Sequence, residues 1–202
     1  MLHCSIFARV RIAIIDESAS RASIMQEGLA EAGLTDTVVL TEREGLLAKL
    51  QAVAPEVVLI DLANPSRDVL EDYFAVSRAL ARPIAMFIDK SDEETTAAAI
   101  DAGVSAYVVN GLTKSRIKPV LDVAVRRFQA FTRLQQELHD ARNALAERSV
   151  IERAKLILMA RRGIEEPAAY ALLRSHAMST NRRIAEVAEA IVTAESLMGD
   201  QP

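Results

Sequence analysis

Between Arg11 and about Phe128, short β-branched runs alternate with amphipathic stretches of about ten to fifteen residues, which restricts the chain to βα units around a parallel sheet. Five strands are predicted: RIAII (11–15), TVVL (37–40), EVVLI (56–60), PIAMFI (83–88) and SAYVV (105–109). The intervening helices fall at about 18–32, 43–53, 68–80 and 92–102, with Gly33 and Gly103 as stop signals just past the first and fourth. The fold class is α/β, a five-stranded doubly wound unit. In such a sheet ligands and reactive groups gather beyond the carboxyl ends of the strands, where Asp16, Glu17, Asp61 and Asp89 fall. Polar residues that merely terminate buried strands would account for any one of them.

The fifth helix, opening near Ser115, does not stop where a closed domain would. Apolar residues continue at Ile117, Leu121, Ala124, Phe128 and Phe131, then at Leu134, Leu138, Ala141 and Leu145, a heptad seam with one repeated step of three. No Gly or Pro interrupts Val120 to Arg162, so one helix of about 40 residues or more is expected. A helix that long needs a partner, and the 117–145 seam points to a parallel homodimer; packing the same stripe back onto its own domain is the alternative. Gly163 ends the helix, and Glu165, Glu166 and Pro167 open the next, which runs to about Met178. "STN" at 179–181 is read as the N-cap of a third helix with the face Ile184, Val187, Ala188, Ile191, Glu195 and Met198, closed by Gly199. The tail is thus a small three-helix bundle. The boundaries are 9–128 for the α/β domain, 129–148 for a coiled-coil linker helix and 149–199 for the bundle.

A chain of 202 residues, half of them hydrophobic, suffices for one domain of about 120 residues and a smaller module. The formal net charge of −4 hides a gradient: residues 1–113 carry 9 basic and 17 acidic side chains, residues 114–146 carry 7 and 3. Between 153 and 183, seven bases stand against Glu165 and Glu166 alone, which suits a local polyanion site or a solvated helix surface. No run approaches the roughly 18 apolar residues of a membrane helix, and the start "MLHCSIFARVR" lacks the pattern of a signal peptide, so the expected location is cytoplasmic, with no membrane partner. Cys4 cannot form an internal disulfide, and His3, His139 and His176 are dispersed, so no metal-ligand spacing exists.

Two resemblances rest on these residues. Residues 9–128 resemble a response-regulator receiver domain, of the flavodoxin- and CheY-like fold. The stretch "VIERAKLILMARRGIEEPAAYALLRSHAMSTNRRIAEVAEAIV", 150–192, is similar to the ANTAR domain, an RNA-binding antitermination module. It carries that family's "AK.ILM.R.G" string, an aromatic in the second helix, "LR..AM" and a basic pair before the third helix. "LIDLANPSRD" with "AYVVNGL" resembles the regulators of nitrate and nitrite assimilation within the family.

The receiver resemblance implies Mg²⁺ at Asp16 and Glu17 and a phosphoacceptor at Asp61, and no other cofactor is expected. It also implies a hydroxyl at the position of Ile88, or of Asp89 with a one-residue shift, and a lysine at that of Asn110; both groups are missing. The groups that read a phosphate are lost, so Asp61 is expected to take none in normal function, and phosphorylation control remains the alternative. Control would then enter through a partner, which the resemblance implies is a cytoplasmic nitrate- or nitrite-sensing protein of solute-binding type that sequesters the regulator. For the tail the resemblance implies paired hairpins with hexanucleotide loops in an mRNA leader, one per protomer. Lys155, Arg161, Arg174 and Arg183 would supply charge, Tyr170 would stack a base, and Ala154 would let a nucleotide approach. Structural duty explains Tyr170, Met159, Met178 and His176 as readily.

Other function classes fit less well. A DNA-binding regulator would carry a basic recognition helix, but the third helix has its bases only at the start, followed by Glu186, Glu189 and Glu195. An adaptor that binds only proteins fits the seam and the acidic front. An enzyme is not expected: Leu62 and Ala63 follow Asp61 where a second catalytic acid would stand, and no Gly-rich phosphate loop follows the first strand.

Overall fold

The computed structural model describes residues 10–63, 65–109 and 112–198. The chain divides into two compact units, Met1–Thr132 and Arg133–Pro202. In the first, β1 (Ile12–Ile15), β2 (Thr37–Leu40), β3 (Val57–Leu62), β4 (Ile84–Ile88) and β5 (Ala106–Val109) form one parallel sheet in the order β2-β1-β3-β4-β5. β1, β3 and β4 are buried throughout, which is why they read as continuous apolar runs, whereas edge strands β2 and β5 are largely half-buried. The expected doubly wound α/β fold is present.

Strand parity sorts the core. Ala13, Ile15, Val58, Ile60, Ile84, Met86 and Ile88 face α2 (Leu46–Val53), α3 (Arg67–Leu80) and α4 (Glu93–Asp101). Ile12, Ile14, Val57, Leu59, Ala85 and Phe87 face α1 (Ala19–Glu31) and the start of α5 (Lys114–Arg162). β3 runs further than EVVLI predicts, because Asp61 and Leu62 still pair with Phe87 and Ile88. Asp61 therefore lies within the strand and shares the parity of Leu59, toward α1. The chain reverses its winding between β1 and β3, and this switch point brings Asp16 beside Asp61.

Side-chain caps define two helix starts: Ser66 accepts from the Val69 N–H at α3 and Asp92 from the Thr95 N–H at α4. At Gly28 a Cβ would stand 2.6 Å from Ile117 Cδ1 and 3.4 Å from the Lys114 Cα, so a missing side chain lets α1 lie against the start of α5.

Helix α5 is continuous over 49 residues, and its apolar seam changes duty along its length. Ile117, Leu121, Ala124 and Val125 are buried against the sheet. The expected 117–145 homodimer seam is corrected on that point: its first turns share one face of the sheet with α1 and are closed to a second copy. Phe131, Leu134, Leu138 and Leu145 are each at least half exposed.

In the second unit the end of α5 packs with α6 (Glu166–Thr180) and α7 (Ile184–Met198) around Ala154, Leu158, Ala169, Leu173, Ala177, Val187 and Ala188. Gly163, at φ +64°, ends α5, and its N–H bonds to the Met159 carbonyl. "STN" closes α6 instead of opening α7. The Thr180 hydroxyl donates back to the His176 carbonyl and Asn181 adopts the left-handed conformation as C-cap, a role asparagine fills more easily than most residues. The first bonds of α7 return to the Arg183 carbonyl. The expected stop at Gly199 lies outside the described residues.

Candidate functional site

Two places hold the residues singled out by sequence. The first is a cleft at the carboxyl ends of β1 and β3, lined by Asp16, Glu17, Arg21, Arg43, Asp61 and Ser66 among others. Asp61 has no exposed side-chain surface, and the guanidinium of Arg21 lies against it: Nη2 is 2.6 Å and Nε 2.9 Å from Asp61 Oδ2. The same Nε is 3.5 Å from Asp16 Oδ2, and Nη1 is 4.0 Å from Asp89. Asp16 Oδ1 accepts the Ser18 N–H at 2.8 Å, fixing that carboxylate at the entry to α1. Glu17 turns outward and pairs with Arg43 Nε at 2.9 Å.

Burial pushes the Asp61 carboxyl above its ordinary range, against the downward pull of Arg21. Burial would lower the Arg21 guanidinium, but the hydrogen bond and charge of Asp61 hold it above its ordinary value. The Mg²⁺ that a receiver resemblance implies needs one or two carboxylates with room for several waters, all in near-octahedral array at about 2.0–2.1 Å. The residues present do not fit it, because Arg21 fills the space between Asp16 and Asp61 and Arg43 draws Glu17 away. Among the described residues no group of three or more His, Cys, Asp or Glu side chains is arranged to hold a metal.

The degenerate positions behave accordingly. Ile88 is the last residue of β4 and wholly buried in the apolar layer under α2 to α4. Asp89 is exposed beside Arg21, and Asn110 lies outside the described residues. A hydroxyl does follow β4 at Ser91, but its Oγ lies 2.8 Å from the Tyr107 hydroxyl on β5 and serves that side chain.

The second place is the tail. Ala154 is buried in the bundle, and so is most of Lys155, whose Nζ lies 2.8 Å from Glu152 and 2.5 Å from Glu166. Hydrogen bonds donated to Glu152 and Glu166 hold this ammonium above its ordinary value, so it joins α5 to α6 as a charged clasp. Arg161 makes a two-pronged pair with Glu195, and Arg183 pairs with Glu147. Tyr170 and Arg174 are exposed one turn apart on α6, with Met178 one turn further on. Among the described residues Arg174 makes no ion pair. The sequence-read set is thus split: Tyr170 and Arg174 share an open face with Arg182 and Arg183 at its border, while Ala154 and Lys155 belong to the interior.

Arg21 and Arg43 were missed by sequence reasoning. The one available signal was the first turn of α1, which holds an arginine and no acid, against the usual preference at a helix N-terminus.

A doubly wound unit in the order β2-β1-β3-β4-β5, with acids at its switch point and a helical module after it, has the flavodoxin-like arrangement. Residues 139–192 match the ANTAR domain. Over 180 residues, 88% of each chain, the sequence is 28% identical to the transcriptional regulatory protein PdtaR of Mycobacterium tuberculosis. Over 80 residues, 40% of this chain and 20% of the relative, it is 35% identical to the nitrate regulatory protein of Klebsiella oxytoca. The receiver domain of the Francisella response regulator 1452 superposes with a TM-score of 0.50 at 15% identity, over 59% of this chain and 98% of that one, which shows the fold alone. The chain thus combines an α/β unit of receiver-type fold, a long helix and a C-terminal segment that matches the ANTAR domain. No helix of the described residues is long and apolar enough to cross a membrane.

Proposed function

We propose that the chain is a NasT-type antitermination regulator whose tail binds hairpin loops in mRNA leaders without phosphorylation of Asp61. The observation that carries this reading is the ANTAR match over 139–192 together with the open Tyr170–Arg174 stripe within it. An exposed aromatic ring beside an unpaired guanidinium is what an unstacked base and its phosphate require. Residues 149–199 are the RNA-binding part, and 129–148 link it to the receiver-type unit. Phe131, Leu134, Leu138 and Leu145, spaced by three, four and seven, offer a coiled-coil seam to a second copy, which would bring two hairpins together. Nitrate assimilation is the proposed regulon, supported by the Klebsiella relative and the "LIDLANPSRD" phrase. Its signal enters through a ligand-sensing protein of solute-binding type that holds the regulator until ligand arrives.

The test is a titration of the full-length chain, at stated salt, against the leader RNA upstream of its host's nitrate-assimilation genes, beside a loop-scrambled hairpin and a duplex DNA. The native leader binds far tighter than either control with no phosphoryl donor present, and Tyr170→Ala weakens it by about 1–3 kcal/mol, the range for one stacked base. Equal affinity for the scrambled loop, or tighter binding to duplex DNA, overturns the reading.

A further inference from the structure

We infer that Arg21 and Arg43 stand in place of the receiver's divalent cation, so that this pocket binds no Mg²⁺, and that Arg21 is the residue that enforces the exclusion. The inference deepens the phosphorylation-independent reading above and can fail separately from it. Each acid that a cation would use already has an internal partner from a different element. Asp16 gives one oxygen to the backbone at Ser18 and turns the other toward Arg21. Asp61 gives Oδ2 to two nitrogens of Arg21. Glu17 is held by Arg43, from the loop between β2 and α2.

A cation shared by Asp16 and Asp61 would have to lie where the guanidinium lies. Mg²⁺ sheds its waters reluctantly and demands regular geometry, whereas the tethered guanidinium competes at an effective concentration on the order of millimolar or above. Asp61 Oδ1 is buried with no hydrogen-bond partner among the described residues, so the carboxylate retains an unused, desolvated oxygen. Truncating Arg21 would leave two adjacent carboxylates without a cation, the condition that favours a divalent ion. The structure thus makes a gain-of-binding forecast: the variant acquires a site that the natural sequence blocks.

Calorimetric titration of the full-length chain with MgCl₂ and MnCl₂, beside thermal melts at about 10 mM of each salt, provides the test. The natural chain gives no saturable heat and no shift in Tm. Arg21→Ala and the milder Arg21→Gln each gain saturable binding and a rise in Tm, and adding Asp61→Asn to either abolishes the gain. Arg43→Ala alone gains nothing, because Arg21 still fills the space between Asp16 and Asp61. Saturable binding by the natural chain that Asp61→Asn removes would overturn the inference, as would failure of both Arg21 variants to gain a site. Leader RNA titrated against Asp61→Asn at fixed Mg²⁺ keeps the two readings apart, since its affinity stays unchanged under the proposed function whatever the pocket binds.

Discussion

Replacing Arg21 by alanine removes the counter-charge of a carboxylate that has no exposed surface. Breaking a fully buried ion pair from one side costs about 3–5 kcal/mol in general. Arg21 is 26% exposed, so solvent screens part of the interaction, and about 2 kcal/mol at neutral pH is the expected loss. The orphaned carboxylate has an escape, because it can take up a proton. Loss of the guanidinium removes the downward pull on a carboxyl that burial already pushes upward, so its pKa rises further. The folded chain then holds a proton that the unfolded chain releases. Stability is therefore lost as pH rises from the ordinary aspartate range through the raised folded value, and acidification restores it. Urea unfolding followed by far-UV circular dichroism at about pH 7.5 and about pH 5 measures this, with the deficit smaller at the lower pH. Adding Asp61→Asn to the variant removes both the deficit and its pH dependence. A deficit of the same size at both pH values, or one below about 0.5 kcal/mol at neutral pH, would refute the role assigned to Arg21.

Three further perturbations test other parts of the molecule. The Tyr73 hydroxyl is buried without a partner among the described residues, so Tyr73→Phe should raise stability by about 1 kcal/mol in urea titration. Burial pushes Tyr73 up to about 12, and the unfolded chain ionises first, so the natural protein loses stability as pH rises from about 10 and the Phe variant loses less. Leu138→Glu places a charge on the open part of the α5 seam; sedimentation equilibrium should show the proposed dimer's association weakened by about tenfold or more, with circular dichroism unchanged. Leu173→Ala empties the centre of the tail bundle, where Leu173 is 1% exposed, and should cost about 2–4 kcal/mol. Hydrogen exchange should then accelerate across α6 and α7, leave β1, β3 and β4 unchanged, and accompany a loss of RNA binding.

The strands and most helices were legible because burial on both faces of a parallel sheet leaves β-branched runs that no other architecture requires, and Gly33, Gly103 and Gly163 mark helix ends through their positive φ. Legibility failed where two segments compete for one signal. "STN" carries good N-cap chemistry, yet Asn181 is equally suited to a left-handed C-cap, and packing of α6 decided in favour of the C-cap. The α5 seam reads as one stripe, but periodicity cannot say which turns the sheet will claim; Ile117, Leu121 and Ala124 went to the sheet. The acid pocket was legible by half. Acids at strand ends follow from the one-dimensional pattern, whereas Arg21 and Arg43 reach them only through three-dimensional proximity, 40 residues from Asp61 in one case and 26 from Glu17 in the other.

Charge in the tail shows the same gap between a count and a surface, and the gap has a measurable size. Of the seven bases between 153 and 183, Lys155, Arg161, Arg182 and Arg183 are each held by an internal carboxylate. Among the described residues Arg153, Arg162 and Arg174 are left without one. Exposed pairs of this kind are worth about 0–1 kcal/mol, so they do not prevent an arginine from turning to a phosphate. They do change the ion count, because a carboxylate that loses its arginine takes up cations as the RNA releases them. For a single-stranded loop, log affinity falls with log salt at a slope of about −0.7 per phosphate neutralised. Three free bases then give about −2 per protomer, where seven would give about −5. A titration of the leader hairpin across about 50–200 mM salt separates the two values. A slope near −5 would refute this count, because dismantling the internal pairs, Lys155 among them, returns cations to the freed carboxylates and holds the slope near −2.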